Sequence, residues 1–110
     1  MKIALIKKHS TKEEIQQMLN ALKSYIKLAV DIKREVLAGG GILHADCEAA
    51  LLKDGSKQED IWGADWIPST KQITFEALIN IRPRQNNLSM KIKDTVIREK
   101  IEEITRGLLE

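Results

Sequence analysis

The chain has 110 residues, 43% of them hydrophobic and 31% charged, which excludes a disordered chain and fits a globular fold. Eighteen basic residues against 16 acidic ones leave a net charge of +2, too balanced to argue for nucleic acid. The single cysteine, Cys47, cannot form an internal disulfide, and no apolar run approaches a signal-peptide core or a membrane span. A cytoplasmic protein with no membrane partner is therefore expected. The length predicts a single domain over residues 1–110. Its core should be built from Ile, Leu, Val and Ala, because aromatics make up only 4%.

Residues 2–8 read as a short strand, Ile3-Ala4-Leu5-Ile6 between lysines. Ser10-Thr11-Lys12-Glu13 has the form of a capping box, in which Ser10 and Glu13 satisfy each other's backbone amides. Ile15, Met18, Leu19, Leu22 and Ile26 follow at helical spacing, which predicts a helix over 11–24. From 27 to 37 the period changes to two: Val30, Ile32 and Val36 on one side, Asp31, Lys33 and Glu35 on the other. Gly39-Gly40-Gly41 then offers the positive-φ turn of a hairpin.

Residues 42–53 fit two readings. Local propensity favours a helix opened by Asp46 and stopped by Gly55. The alternation and the preceding glycines favour a strand, and the strand is the reading adopted. Asp54-Gly55-Ser56 turns the chain, and 61–67 reads as a strand. Residues 72–82 alternate, with Ile73, Phe75, Ala77, Ile79 and Ile81 inward and Thr74, Glu76, Asn80 and Arg82 outward. Pro83 ends that strand, and 84–93 is a polar loop. Asp94 caps a last helix striped with Ile97, Ile101, Ile104 and Leu108.

The sum predicts an α+β domain of two layers. Its sheet would be mostly antiparallel, with about four to five strands. The N-terminal and C-terminal helices would pack on one face, and polar side chains would occupy the other.

On the strand reading, His44, Asp46 and Glu48 project from one face, roughly 7 Å apart. Asp31, Asn80 and Arg82 would join them. His44 and Asp46 are then candidate catalytic residues, exchanging a proton, and Asn80, Arg82 and Glu48 candidate ligand-binding residues. His44, Asp46, Glu48 and Asp31 are equally candidate ligands for a divalent metal. The bland alternative is an exposed charged face. Cys47, between Ala45 and Ala49, reads as a small buried hydrophobe rather than a nucleophile. No phosphate loop, GxSxG, HExxH or calcium loop is present.

These residues resemble a family of small bacterial proteins, well represented in cyanobacteria and classed as a domain of unknown function. The resemblance rests on Asp31, Gly39-Gly40, Leu43-His44-Ala45-Asp46, Glu48, Gly55-Ser56, Gln58, Asp60, Trp62-Gly63 and Ile79-Asn80-Ile81-Arg82-Pro83. It implies that these polar residues form one set, and it implies no activity. Two departures stand out. Asn86 and Leu88 replace a glycine and an arginine of the family pattern, and Ile42 stands where an acid is usual.

The expected function is a small-ligand or metal-binding domain with a polar site on the sheet, with hydrolytic chemistry as one outcome. The alternative is a non-enzymatic module that forms a homodimer through its sheet face or Trp62 and Trp66. A weaker alternative is an RNA-binding or toxin-like protein using Lys7, Lys8, Arg82, Arg84, Lys91 and Lys93.

Overall fold

A computed structural model describes residues 2–110. Five strands form one sheet: β1 (Ala4–Ile6), β2 (Ile26–Asp31), β3 (Val36–Gly39), β4 (Ile61–Ile67) and β5 (Gln72–Thr74). Their order is β1-β3-β2-β4-β5 and every pairing is antiparallel. Three helices accompany the sheet: α1 (Lys12–Leu19), α2 (His44–Lys53) and α3 (Thr95–Leu109). The α+β class and the antiparallel sheet are as the sequence predicts.

Side-chain alternation along the central strands divides the core in two. Ile26, Leu28 and Val30 of β2 join Trp62, Ala64 and Trp66 of β4 in one buried cluster, with Met18 of α1 and Ile101, Ile104 and Leu109 of α3. The opposite parity, Ala29, Val36, Ala38 and Ile61, packs against Cys47 and Leu51 of α2. The face expected to carry only polar residues is thus partly covered by a helix. Trp62 and Trp66 are buried core residues and offer no interaction surface.

Helix α1 starts one residue later than the box Ser10–Glu13 predicts. Thr11 is the cap: its hydroxyl accepts from Glu14 N at 3.1 Å, and Glu14 Oε1 accepts from Thr11 N at 2.9 Å. Ser10 instead donates its amide to Leu108 O at 2.8 Å, tying the start of α1 to the end of α3. The helix stops at Leu19, short of residue 24. The chain turns through Lys23, at φ 70°, to place Ile26 in the sheet.

The hairpin reversal lies at 32–35, not at the triple glycine. Asp31 Oδ1 accepts from Lys33 N and Arg34 N, both at 2.9 Å, and Glu35 takes φ 59°. An aspartate side chain can organise a turn in this way without glycine. Gly39 and Gly40 serve close packing instead. A Cβ on Gly39 would lie 2.8 Å from Met18 Sδ, and one on Gly40 2.8 Å from Met18 Cα.

Residues 44–53 are helix, which corrects the strand reading of 42–53. The Ala, Leu and Glu content wins, Asp46 Oδ2 accepts from Leu43 N at 3.2 Å, and Gly55 at φ 104° follows the helix end. Residues 72–82 depart from the reading too. β5 ends at Thr74, and Leu78–Asn80 forms one 3-10 turn. The chain crosses Gly63 so closely that a Cβ there would meet Ala77 Cβ at 2.5 Å. Ala77 stays buried as expected, but inside and outside are exchanged beyond it: Asn80 and Arg82 are buried, while Ile81 is exposed. No helix among the described residues is long and apolar enough to cross a membrane.

Candidate functional site

β5 pairs only with Asp65–Ile67 of β4. The remaining half of that edge would leave backbone groups of Ile61 and Gly63 without partners, a costly state for buried groups. Asn80 replaces the absent strand. Its side-chain oxygen accepts from Gly63 N at 2.7 Å, and its nitrogen donates to Gly63 O at 3.0 Å and to Met90 O at 3.2 Å. Arg82 completes the edge. It donates to Ile61 O (2.6 Å), Gln58 O (2.9 Å), Ile79 O (2.7 Å), Gln85 Oε1 (3.0 Å) and Glu48 Oε2 (3.4 Å). A guanidinium has five N–H donors, and all are used. Its plane also lies 5.0 Å from the Trp62 ring centroid. Burial pulls the Arg82 pKa down, and the charge of Glu48 opposes that.

A second polar group crosses the same sheet face. Lys27 of β2 is the register partner of Asp65 in β4, and Asp65 that of Thr74 in β5. The three form a row beneath the first turn of α2. His44 reaches down from that turn, with Nε2 2.8 Å from Asp65 Oδ1 and 3.1 Å from Ala64 O. Both partners are acceptors, so Nε2 carries the proton. The lone pair of the neutral ring is then on Nδ1. Thr74 Oγ1 donates to the other carboxylate oxygen, Asp65 Oδ2, at 3.2 Å. The His44 and Asp65 side chains are 11% and 19% exposed. Lys27, Asp65 and His44 line the floor of a groove of about 460 Å³, walled by Leu43, Leu78, Ile79 and Met90, with Glu76 at its rim.

The helix redistributes the residues singled out in the sequence. His44 and Glu48 are four apart and share one helical face with Cys47 and Leu51. Glu48 turns to Arg82. Asp46 lies about 200° round the helix from His44 and caps Leu43 N. Asp31 ends β2 and organises the turn that follows, with Oδ2 buried and unpaired. No three His, Cys, Asp or Glu side chains among the described residues are grouped so as to hold a metal ion. The four metal candidates are therefore not brought together.

His44's partner, Asp65, and its neighbour Lys27 escaped the sequence reading. One signal was present: Asp65 is the only charged residue in the otherwise apolar strand Ile61–Ile67. Cys47 is buried beneath α2, 3.5 Å from Lys27 O, and burial pushes its thiol pKa up to about 11. It behaves as the small hydrophobe its setting predicts. The polar loop after Pro83 is held from within: the Asn87 side chain donates to Asn80 O, Ser89 O and Lys91 O.

Residues 4–108 match the model of one family, described as Protein of unknown function (DUF5674). No curated protein matches the chain, and no solved structure does.

Proposed function

The chain belongs to the DUF5674 family, and for it we propose a small-ligand-binding function centred on the groove under the first turn of α2. The observation that carries this reading is the chain of hydrogen bonds from Thr74 to Asp65 to His44 at the groove floor. A histidine oriented through one nitrogen by a carboxylate keeps the other nitrogen for chemistry. Acid–base steps on a bound ligand, hydrolysis included, would run through Nδ1 of His44.

A metal-free site is the simpler reading, because Asp46, Glu48 and Asp31 each serve another bond. Asn80 and Arg82, with their donors spent on the chain itself, support the floor rather than contact the ligand. A cytoplasmic location agrees with a lone, buried, unpaired cysteine.

An NMR screen of small organic fragments against the 15N-labelled protein tests the reading. The expected result is a set of shifts confined to the amides of Lys27, His44, Asp65, Leu78 and Met90, lost in His44→Ala. Fragments that perturb only other surfaces, or none, would sink it.

Self-association is the second reading. It is favoured by Leu78 and Leu88, which are 71% and 76% exposed. A mass that rises with concentration and falls in Leu78→Ser or Leu88→Ser would support it.

A further inference from the structure

We infer that the groove selects a small carboxylic acid with an apolar tail, and that binding the carboxylate loads a proton onto His44. The inference rests on the groove being the ligand site.

Three observations carry it. The first is an ammonium with no ion pair. Asp65 and Lys27 face each other across β4 and β2, yet they form no ion pair. Both oxygens of Asp65 are taken, by His44 and by Thr74. The Lys27 ammonium is therefore left without a direct ion-pair partner, although the charge of Asp65 lies across the strand pair. Its field reaches the Cys47 thiol under α2. The other acid of the groove, Glu76, is exposed at the rim, where water screens it. A carboxylate ligand would supply the direct ion pair that Lys27 lacks.

The second is the fixed tautomer of His44. With Nε2–H committed to Asp65 and Ala64 O, the neutral ring presents a lone pair at Nδ1, which repels a carboxylate. An added proton turns Nδ1 into a donor while the Nε2–H bond to Asp65 persists. The proton comes from solvent, no covalent bond of the ligand breaks, and Asp65 stabilises the imidazolium.

The titratable groups lining the groove with the ring are Asp65 from β4, Lys27 from β2 and Glu76 from the segment after β5; on its own helix, Asp46 turns to Leu43 N, Glu48 to Arg82, and Cys47 lies buried. Cys47, pushed up to about 11, stays a thiol.

The third is the wall. Leu43, Leu78 and Met90 are 56%, 71% and 42% exposed and flank the polar floor. An apolar tail lying along them would remove that surface from water. A groove of about 460 Å³ falls within the range of roughly 300–1,000 Å³ usual for small-ligand sites.

The test is calorimetric and NMR titration with hexanoate, octanoate, octanol and octylamine, from pH 6 to 8. Octanoate should bind tightest, and each added CH₂ from hexanoate upward should tighten binding about three- to fourfold. Uptake of one proton makes its affinity fall by up to about tenfold per pH unit as the pH rises. About one proton should be taken up, read from the heat in buffers of different ionisation enthalpy. Lys27→Ala should weaken octanoate and leave the pH slope. His44→Gln, which cannot titrate, should abolish the slope.

Octanol binding as well as octanoate, or octylamine binding better, would overturn the acid preference and leave the groove standing as a ligand site. A pH-independent affinity would overturn the proton linkage. No binding by any of the four probes would remove both this inference and the groove reading beneath it. The comparison among probes uses the unaltered protein, so it holds even if a variant fails to fold.

Discussion

His44 and Glu48 lie one turn apart on α2, and each leads to a polar cluster on the same face of the sheet. At Glu48 the cluster is Arg82 and Asn80; at His44 it is Asp65, Thr74 and Lys27. Both are rich in hydrogen bonds, and both contain a residue type used in catalysis or anion binding. They differ in what is left over. Every donor of Arg82 ends on an acceptor of this chain, and the Asn80 amide is spent on Gly63 and Met90. The His44 cluster retains one ring nitrogen and one ammonium. Residual valence, not polarity, separates a group that supports the fold from one that can meet a ligand.

The contrast is open to breaking by substitution. The largest effect belongs to Arg82→Ala, which leaves Ile61 O, Gln58 O and Glu48 without their partner. A loss of about 3–5 kcal/mol in chemical denaturation is expected. A loss under about 1 kcal/mol would mean that Arg82 is free for a ligand after all. Asn80→Ala strips both backbone groups of Gly63 and should cost about 2–4 kcal/mol.

Between the two clusters lies Cys47. Its unfolded thiol ionises from near pH 9, whereas the folded one holds its proton to about 11. The raised pKa means that the stabilisation is complete below pH 9 and is lost as pH rises through 11. Its full size is about 3 kcal/mol. Denaturation curves at pH 7, 9 and 10.5 should show this decline in excess of that in Cys47→Ala. Identical slopes would place the thiol in contact with solvent.

At the open cluster the stability effects shrink and the spectroscopic ones grow. Asp65→Asn should cost about 1–2 kcal/mol. It should also move the neutral His44 tautomer away from Nε2–H, visible in the 15N shifts of the ring; an unchanged tautomer would show that Ala64 O alone orients it. Lys27→Ala is expected to change stability by no more than about 0.5 kcal/mol.

Much of this was legible from residues. Periodicity marked the strands around Ala29 and Trp62 and the stripe of α3, and Asp94 gave its cap. Side-chain parity failed where tertiary contact overrode it. Residues 76–82 alternate well enough to be a strand, but Gly63 lets the chain cross over β4, and Asn80 and Arg82 turn inward with it. The stretch after Gly41 carried both periods at once, and helix propensity decided. His44 was singled out from its spacing with Asp46 and Glu48. Its partner was not, because Asp65 is 21 residues away and no local pattern joins the two. Of the polar residues singled out around Leu43–Asp46 and Ile79–Pro83, Asp46, Asn80 and Arg82 bond to backbone.

The sheet order also bears on the timing of folding. β2, β3 and β4 follow one another in sequence, with α2 between the last two, so their pairings close short loops and can form early. The face they build carries Leu28, Val30, Trp62 and Trp66, and its cover includes Ile101, Ile104 and Leu109 of α3, which leave the ribosome after every strand. Ser10 N then waits for Leu108 O. During synthesis at about 5–20 residues per second, this sheet passes through an interval with one apolar face bare. In that interval a chaperone has its opportunity to bind.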